Sequence, residues 1–556
     1  MPVPGEQLLA EGRAAVGPST PSRFCAARGF ASEYDYKRAA MAEGRITYHA
    51  HVGLSTWSAT EDALRLVTGG LAERGGQLDR FGLCLDRSMG LLPDRRDTVP
   101  RETGPRLEDD DWAQVAAAVD SQPHLGDFMI GTEASLDNTV RALSTGISTI
   151  GNLGQFLAFG TPGGSDDDAV TAATVRALGA MASRCSAGAL VHSYLDDGPA
   201  MQLSHYGNYL AWAALELHVV DRMAGARLAH CYGGLVPQPG ARAYLGLALR
   251  LLHDPGDVGS MVYGNTVDYT RDHTRNAAVL ADYLLVDIAT QLRAPSGHAV
   301  NPVPLTENER IPSGADILEV QLLAREIERD ARRSADVLDW GDLEQQAAEG
   351  AAYARSTARR MLALLDDDGV DTGDVAALLA ALRATDVVAL ERRLGTTPPD
   401  GIARWQPWKA ATLDALSADL QTVGSRDLAG ARVVLACLDV HDLARDVIRT
   451  SLVRLGAEVV LLPTDSLPET VARAAAEEDA CAVIASTYNG AALTLGRRLV
   501  AALDGLGYDG AVVMGGVLNE ELGAGLPVDV SDQLRALGVR CPASLAEVPA
   551  IVAAAR

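Results

Sequence analysis

The sequence lacks the features of secreted and membrane-spanning proteins. Its seven cysteines are scattered singly without a Cys-x-x-Cys pair, which is typical of a protein kept in a reducing cytoplasm. No apolar run reaches the roughly 18 residues that indicate a membrane span. The N-terminus has no basic stretch followed by an apolar core, so it does not resemble a secretory signal. We therefore expect a cytoplasmic protein with no membrane partner.

Basic residues are also in deficit. Lys and Arg number 48 against 73 Asp and Glu, which gives a formal net charge of −25. Such a balance argues against a nucleic-acid-binding surface. The acidity is spread through the chain and includes aspartate-rich stretches such as residues 109–111 and 366–368, which we interpret as solvated turns. The expected partner is a small-molecule substrate, with no nucleic acid involved.

Length and pattern predict four regions. A chain of 556 residues with 47% hydrophobic content is expected to form more than one domain, each with a sizeable core. Residues 1–38 mix Pro, Gly, Ser and Ala without periodicity and predict an extended or disordered arm. Residues 39–330 predict a barrel, 331–426 a charged helical region and linker, and 427–556 a second α/β domain.

Residues 39–330 repeat a short apolar strand, a polar loop and an apolar-periodic helix about eight times. That count and length fit a (β/α)8 (TIM) barrel, whose chemistry lies on the loops after the strands. We expect strands at 46–48, 128–130 and 189–191, among others. The candidate catalytic residues on the following loops are His51, Asp86, His192 and Glu307, although each taken singly also suits a scaffolding role.

The C-terminal region is organised around one strand and the loop after it. After Arg432, residues 433–438 form an unbroken apolar run, which is typical of a parallel strand buried on both faces. The run ends in Asp439, His441 and Asp442. A histidine with a carboxylate two residues away can bind a metal through one ring nitrogen while the other donates to the carboxylate. A solvated loop histidine is the alternative for this motif taken alone.

The surrounding spacing favours a binding site. Strands alternate with helices after His441, which predicts a doubly wound parallel sheet. Two later strands end in Ser486 and in Gly515-Gly516. Ligands of such sheets bind beyond the carboxyl ends of the strands, so these groups are expected to face one crevice. Glycines there let a bulky group approach the backbone.

This arrangement resembles the cobalamin-binding domain of adenosylcobalamin-dependent mutases and methionine synthase. The family pattern is Asp-x-His-x-x-Gly, then Ser-x-Leu, then Gly-Gly, and here Ala444 replaces the first glycine and Tyr488 replaces the leucine. The resemblance implies a flavodoxin-like fold with His441 as the cobalt ligand and Asp439 fixing its tautomer. The implied cofactor-binding residues are Asp439, His441, Asp442, Ala444, Ser486, Tyr488, Gly515 and Gly516.

The barrel region resembles the catalytic subunit of glutamate mutase (methylaspartate mutase). The segment from Thr306 to Ser313 is similar to that family's Glu-x-x-x-Ile-Pro-Thr segment, which implies that Glu307 contacts the adenosyl ribose. The two resemblances together imply a radical mutase that uses adenosylcobalamin (vitamin B12) to rearrange the carbon skeleton of a small acid. We expect a homodimer. A corrinoid methyltransferase and a non-catalytic cobalamin sensor or carrier are the alternatives.

The substrate is expected to differ from glutamate. Glutamate mutase holds two substrate carboxylates with three arginines, since the planar guanidinium pairs with a carboxylate through two hydrogen bonds. The resemblance places these positions near His51, Gly90 and Met129. Another arginine, one of Arg87, Arg95 and Arg310, could anchor a single anion.

Overall fold

The computed structural model divides the chain into two compact units. Unit 1 comprises residues 1–158 and 166–410, and unit 2 comprises residues 159–165 and 411–556. The structure describes residues 3–18, 21–99, 104–160, 166–334, 339–412, 428–439, 443–488, 490–520 and 528–556. Both units are mixed α/β folds with parallel sheets, as the sequence predicts.

The described residues of unit 1 form eight short strands that follow one another along the chain, each separated from the next by helical segments or turns. They are β1 His49–Val52, β2 Arg80–Leu83, β3 Gln122–His124, β4 Thr149–Gly151, β5 Leu190–Tyr194, β6 Leu228–Cys231, β7 Met261–Tyr263 and β8 Ala299–Asn301.

These strands pair in parallel in the order β1-β2-β3, β4-β5-β6 and β7-β8. Three isolated parallel bridges connect the ends of the three sheets. Leu125 pairs with Ile150, Tyr232 with Val262, and Tyr48 with Val300. Each strand group therefore has a backbone connection to the next, and the last group to the first.

Helices make up most of unit 1. They are α1 Gly5–Ala15, α2 Arg23–Ala27, α3 Glu33–Ala42, α4 Trp57–Ala72, α5 Asp111–Ala117, α6 Ser135–Ser144, α7 Leu153–Ala158, α8 Asp167–Ser183, α9 Tyr206–Leu217, α10 Pro239–Leu252, α11 His273–Arg293, α12 Gly314–Ser334, α13 Gly341–Asp367, α14 Val375–Ala384, α15 Val387–Leu394 and α16 Asp400–Ala403. Several begin with a side-chain cap, such as Thr56 before α4 and Asp272 before α11.

The N-terminal segment is folded, which corrects the expectation of an extended or disordered arm. Leu8 and Leu9 of α1 are almost fully buried in the core of unit 1. Gly12 lies against the backbone of Arg176, and Gly179 lies against that of Leu9. Helices that pack backbone to backbone through glycines need few large apolar residues, so this contact leaves little hydrophobic periodicity in the sequence.

Three predicted strand positions also need correction. The predicted strand at 128–130 is irregular, and Phe128 has a φ of 57°. The strand in this part of the chain is β3, which ends at His124, several residues earlier. His51 and His192 lie inside β1 and β5 and not on the following loops. The inward faces of these strands carry polar side chains, and a search for apolar runs therefore places the strands too early or too late.

Helices α13, α14 and α15 lie in the region that the sequence predicts to be helical. Alanines of α13 together with Met361 are buried in the same core as α9 and α10, so this helix belongs to unit 1. The predicted boundary at residues 426 and 427 lies outside the described residues. In the described part of the chain, no helix combines the length and apolar character needed to cross a bilayer.

Unit 2 has one main parallel sheet. Its strands are β9 Arg432–Cys437, β10 Glu458–Leu461, β11 Ala482–Thr487 and β12 Ala511–Gly516, with a small antiparallel pair β13 Asn519–Glu520 and β14 Val528–Asp529. Its helices are α17 Leu443–Arg454, α18 Pro468–Glu477, α19 Ala492–Gly505, α20 Ser531–Ala536 and α21 Val548–Ala555.

The sheet order is β10-β9-β11-β12, and Arg540 adds a further parallel bridge to Val513 beyond β12. Alternate residues of β9 enter two cores, with Val434 on one face and Val433 on the other. This burial on both faces confirms the prediction for the apolar run. The chain leaves β9 in one direction and returns to its other side at β11, so the strand order reverses between their carboxyl ends.

Candidate functional site

Histidines line one buried face of the strands of unit 1. His49 and His51 alternate along β1, and their ring centroids are 5.5 Å apart. His124 on β3 lies 5.7 Å from the His49 ring, and 4.7 Å from the ring of His192 on β5. Burial, together with the Arg80 cation, holds the pKa of His49, His124 and His192 well below the usual range. These three imidazoles are therefore neutral near pH 7.

Glycines on neighbouring strands make room for the imidazoles. Gly82 pairs with His51 in the sheet register, and a Cβ at Gly82 would lie 2.8 Å from Nε2 of His49. A Cβ at Gly151, which pairs with His192, would lie 2.5 Å from the backbone oxygen of His192. The space beside these glycines is filled by the chain's own side chains.

A buried charge cluster lies at the starts of the strands. Glu33 forms ion pairs with Arg80 Nε at 2.9 Å and with Lys37 Nζ at 3.3 Å. Burial lowers the pKa of Lys37 to about 7, and its ammonium donates to the backbone oxygens of Gly259 and Ser260. Every member is almost fully buried and each charge has a partner, so the cluster serves to hold α3 against the strands.

The opposite, carboxyl ends of the strands carry a connected polar network. The His51 Nε2 atom lies 3.5 Å from Oδ2 of Asp127, on the loop after β3. The amide of Gln155 donates to Asp127 at 3.0 Å and to Asp197 at 3.4 Å. Asn152 donates to the same carboxylate of Asp197 at 2.9 Å. Two acids are thus linked through one amide, beside an imidazole.

The charges of this network follow from its neighbours. Burial opposes the charged form of His51, but Cys84 and Asp127 raise the pKa of His51 well above its usual range. Burial and the nearby carboxylate of Asp127 raise the pKa of Asp197 well above the ordinary value. The network therefore favours an imidazolium on His51 beside Asp127, and it favours the protonated form of Asp197.

Aromatic rings and one more acid complete this end. Tyr194 and Tyr263 stack with ring centroids 5.5 Å apart and planes at 26°. The Tyr263 ring lies 6.0 Å from that of His51. Glu307 follows β8, and burial raises the pKa of Glu307 to about 7, while His51 opposes this shift. The predicted residues His51 and Glu307 therefore belong to one site. We call this site the mouth network, and its members are His51, Asp127, Asn152, Gln155, Tyr194, Asp197, Tyr263 and Glu307.

The structure places the other two predicted catalytic residues elsewhere. Asp86 is fully buried, and its carboxylate accepts hydrogen bonds from the Ser88 backbone and hydroxyl and from Nε of Arg106. It caps the turn after β2. His192 lies deeper among the neutral imidazoles, where its Nδ1 is 2.6 Å from the hydroxyl oxygen of Ser260.

In unit 2 the reversal of strand order is marked by Asp439. Its carboxylate accepts hydrogen bonds from the Thr487 hydroxyl at 3.1 Å and from the backbone N–H of Tyr488. Asp439 is 2% exposed, and its backbone oxygen accepts from the N–H of Asp465 after β10. One carboxylate thus joins the ends of β9 and β11, at the point where ligands bind in doubly wound sheets.

Small polar and glycine residues line the same edge. Ser486 is 4% exposed, and its hydroxyl has no oxygen or nitrogen partner within the described residues; the weak thiol of Cys437 is its polar neighbour. Ser486 pairs with Gly515 of β12. No described atom lies within 4 Å of the Cβ position of Gly515. Within the described residues, the edge therefore combines a buried hydroxyl with a glycine that has no close neighbour.

The remaining predicted cofactor residues fall into two groups. Gly516 has a φ of 99° and a Cβ there would meet the Thr487 oxygen, Tyr488 is exposed, and Ala444 lies in the first turn of α17. His441 and Asp442 lie outside the described residues. Among the residues that are described, no group of three or more His, Cys, Asp or Glu side chains is arranged to hold a metal ion.

Sequence reasoning missed the acids Asp127 and Asp197 and the hydroxyl donor Thr487. Asp127 is missed because the strand is expected at 128–130. That prediction places Asp127 before the strand, whereas site residues are sought on the loop after it. Asp197 lies beyond a strand that continues two residues past His192. Thr487 is the variable residue inside the Ser-x-Leu pattern, and a pattern search gives that position no weight.

Comparison with known proteins adds no assignment. No protein-family model matches this sequence, and no curated protein matches it significantly.

Proposed function

We propose that this chain is an adenosylcobalamin-dependent mutase that rearranges the carbon skeleton of a small acid. In this proposal, unit 1 is a (β/α)8 barrel and unit 2 a flavodoxin-like cobalamin-binding domain. Support for the barrel comes from the three isolated bridges, which connect the three strand groups of unit 1 in a ring. Support for the second domain comes from its strand order, which matches that of flavodoxin-like sheets.

One observation carries the proposal, namely the edge of unit 2 formed by Asp439, Ser486 and Gly515. The residues fit the cofactor for three reasons. The Asp439 carboxylate is held rigidly two residues before His441. The Ser486 hydroxyl is buried and available to a nitrogen or oxygen of a ligand. The space over Gly515 accommodates a flat or bulky group. These are the sites at which the family resemblance puts the cofactor.

The residues of the chain would divide the work as follows. His441 would bind cobalt, and Asp439 would orient it; Ser486 and Gly515 would hold the nucleotide tail. The cofactor supplies, when bound, a carbon radical that can take a hydrogen atom from a substrate. The protein must position the substrate and exclude water and other quenchers.

The mouth network supplies groups suited to that positioning. The imidazolium of His51, braced by Asp127, can accept a substrate carboxylate as an ion pair. With a pKa of about 7, Glu307 can donate or accept a hydrogen bond, which suits contact with the ribose hydroxyls of the adenosyl group. The stacked rings of Tyr194 and Tyr263 provide an apolar wall beside the site.

The substrate in this proposal carries one anionic group and not two. Met129, at one of the three arginine positions of glutamate mutase, is fully buried, and Gly90 has no side chain. Arg95 is paired with Glu133 and Arg310 with Asp316, each through short ion pairs. A dicarboxylate would lose hydration at its second carboxylate without gaining a bidentate partner.

The test is anaerobic incubation of the purified protein with adenosylcobalamin and a panel of small acids, followed by electron paramagnetic resonance. We expect a radical signal that depends on both cofactor and substrate, and no interconversion of (S)-glutamate and 3-methylaspartate. Glu307→Gln should slow formation of the signal while leaving cobalamin affinity nearly unchanged. Robust glutamate turnover would overturn the single-anion argument and restore an ordinary glutamate mutase assignment.

The same experiment separates the alternatives. A corrinoid methyltransferase would be active with methylcobalamin and would give no substrate radical. A sensor or carrier would bind cobalamin without turning over any acid of the panel. Either result would contradict the proposed mutase.

A further inference from the structure

Cys84 differs from the other cysteines of the chain in its exposure and its neighbours. All seven cysteines lie in described residues, and Cys84 alone is exposed, whereas Cys25, Cys231 and Cys437 are buried. The remaining three, Cys185, Cys481 and Cys541, are partly exposed. A reactive thiol has to be accessible and has to lie in an electropositive setting, so the surroundings of Cys84 decide what it can do.

The sheet register places Cys84 beside His51. The backbone N–H of Cys84 donates to Val52 at 3.0 Å, directly after the β1–β2 pairing of His51 with Gly82. Cys84 continues the inward series of Arg80 and Gly82, two residues further along. A Cβ at Gly53 would lie 2.4 Å from the Cβ of Cys84, so glycine leaves room for the cysteine.

His51 has neighbours on two sides. Cys84 interacts with its imidazole from β2, and the Asp127 carboxylate stands 3.5 Å from Nε2 on the loop after β3. Neither ring nitrogen has a partner within ordinary hydrogen-bond geometry among the described residues, and both nitrogens are shielded from solvent. A thiol, an imidazole and a carboxylate in this order form the arrangement that activates a nucleophilic sulfur.

We propose that Cys84, His51 and Asp127 form a reactive-thiol site that is covalently modified by small, soft electrophiles. As the sulfur of Cys84 attacks, the imidazolium of His51 stabilises the negative charge that develops on it, and Asp127 stabilises the imidazolium. With an alkyl iodide, the sulfur forms a bond to carbon, the carbon–iodine bond breaks, and iodide leaves with the bonding electrons. The thiol proton passes to the solvent.

Because the thiol lies beside the mouth network, its modification is expected to alter that network. A group attached to the sulfur of Cys84 stands beside His51 and Asp127, and Cys84 also acts electrostatically on Tyr263. Modification therefore changes the charge and space of the mouth network. This consequence for turnover rests on the proposed mutase, whereas the reactivity of the thiol does not.

The test is a time course of alkylation of the full chain, free of cobalamin, with iodoacetamide at pH 7, read residue by residue by mass spectrometry. We expect Cys84 to react about tenfold faster in the folded protein than the same cysteine in the urea-unfolded chain. Because Cys84 is fully exposed in the unfolded chain, greater exposure cannot explain a faster reaction in the folded protein. Cys185 serves as an internal control and should react more slowly folded than unfolded.

Two variants distinguish activation of the Cys84 thiol by its neighbours from simple access of the reagent to the thiol. Asp127→Asn should reduce the rate at Cys84 about fivefold or more, whereas Asp127→Glu, which keeps the charge, should retain most of it. Circular dichroism and an unchanged rate at Cys185 verify the fold of each variant. Folded Cys84 reacting no faster than unfolded Cys84, or at the same rate in Asp127→Asn as in the unmodified protein, would overturn the proposal.

Discussion

Gly82 and Gly151 of unit 1 and Gly515 of unit 2 have opposite surroundings. In unit 1, a Cβ at Gly82 or Gly151 would collide with His49 or His192, so these glycines make room for the chain's own imidazoles. In unit 2, no described atom lies within 4 Å of a Cβ at Gly515. The comparison teaches that a glycine at a strand end indicates a ligand site only where the space beside it is not already filled.

The two units also differ in their buried polar and charged groups. The interior of unit 1 is filled by neutral imidazoles, and its ionised groups are paired with one another, as in Glu33 with Lys37 and Arg80. At the edge of unit 2 the buried carboxylate of Asp439 fixes two strand ends. The strands of unit 1 thus pack against their own polar side chains, whereas Gly515 at the edge of unit 2 has no described atom within 4 Å of its Cβ position.

The largest effect expected from this comparison is on stability. Gly151→Ala forces a methyl group against the backbone oxygen of His192, which cannot move away, and should lower the free energy of unfolding by about 1–3 kcal/mol. Gly515→Ala should change it by less than about 0.5 kcal/mol. Urea unfolding measures both. Equal losses would mean that the space over Gly515 is filled by the chain, and the comparison would fail.

An effect of similar size is expected in the pH dependence of unfolding. Glu307 has a pKa of about 7 when folded against an ordinary 4.5, so folding takes up a proton between these values. The free energy of unfolding therefore falls as the pH rises through that window and levels off above about pH 7.

Glu307→Gln removes this contribution. Relative to the unmodified protein, the variant should gain roughly 1–3 kcal/mol between about pH 5 and pH 8, since one pKa unit corresponds to about 1.4 kcal/mol and the group is only partly buried. Urea unfolding at the two pH values, with Glu309→Gln as the matched control on the same turn, provides the measurement. A constant difference between variant and parent would show that Glu307 is ionised in the folded chain.

The remaining effects concern ligand affinity and the side chains that support the edge of unit 2. Asp439→Asn should weaken cobalamin binding about 10–100-fold, because residues that orient a metal ligand typically have effects of this size. Thr487→Val removes one hydrogen bond to Asp439 and should have a smaller effect, within about 1 kcal/mol.

Titration of each variant with cobalamin, followed by absorbance, gives the affinities. Thr494→Val is the matched control, because its hydroxyl donates to Glu520 and not to Asp439, so its loss should leave cobalamin affinity unchanged. A Thr487 variant that binds more weakly than the Asp439 variant would contradict the expected order.

The sequence allows the α/β class, the four main strands of unit 2 and most strands of unit 1 to be predicted. Val433 to Cys437 are recognisable because both faces of β9 are apolar and buried. The strands that carry His51 and His192 are predicted a few residues away from their true positions, because a strand with imidazoles on one face does not look like a buried strand.

The candidate site can be predicted only where a motif carries it. Asp439, Ser486 and Gly515 belong to a spaced pattern and are identified together. Asp127 and Asp197 belong to no pattern, and their proximity depends on the side-chain amide of Gln155, which links loops after two different strands. Such a link between distant segments is set by the three-dimensional fold and leaves no local mark in the sequence.

The central claim is that His441 replaces the cofactor's own base on cobalt, and cob(II)alamin bound to the protein tests it most directly. We expect its electron paramagnetic resonance lines to show splitting by one axial nitrogen, with triplets that become doublets when the protein is labelled with nitrogen-15. His441→Ala should abolish the change. Splitting that is the same in labelled and unlabelled protein would mean that the cofactor keeps its own base, and would contradict the account.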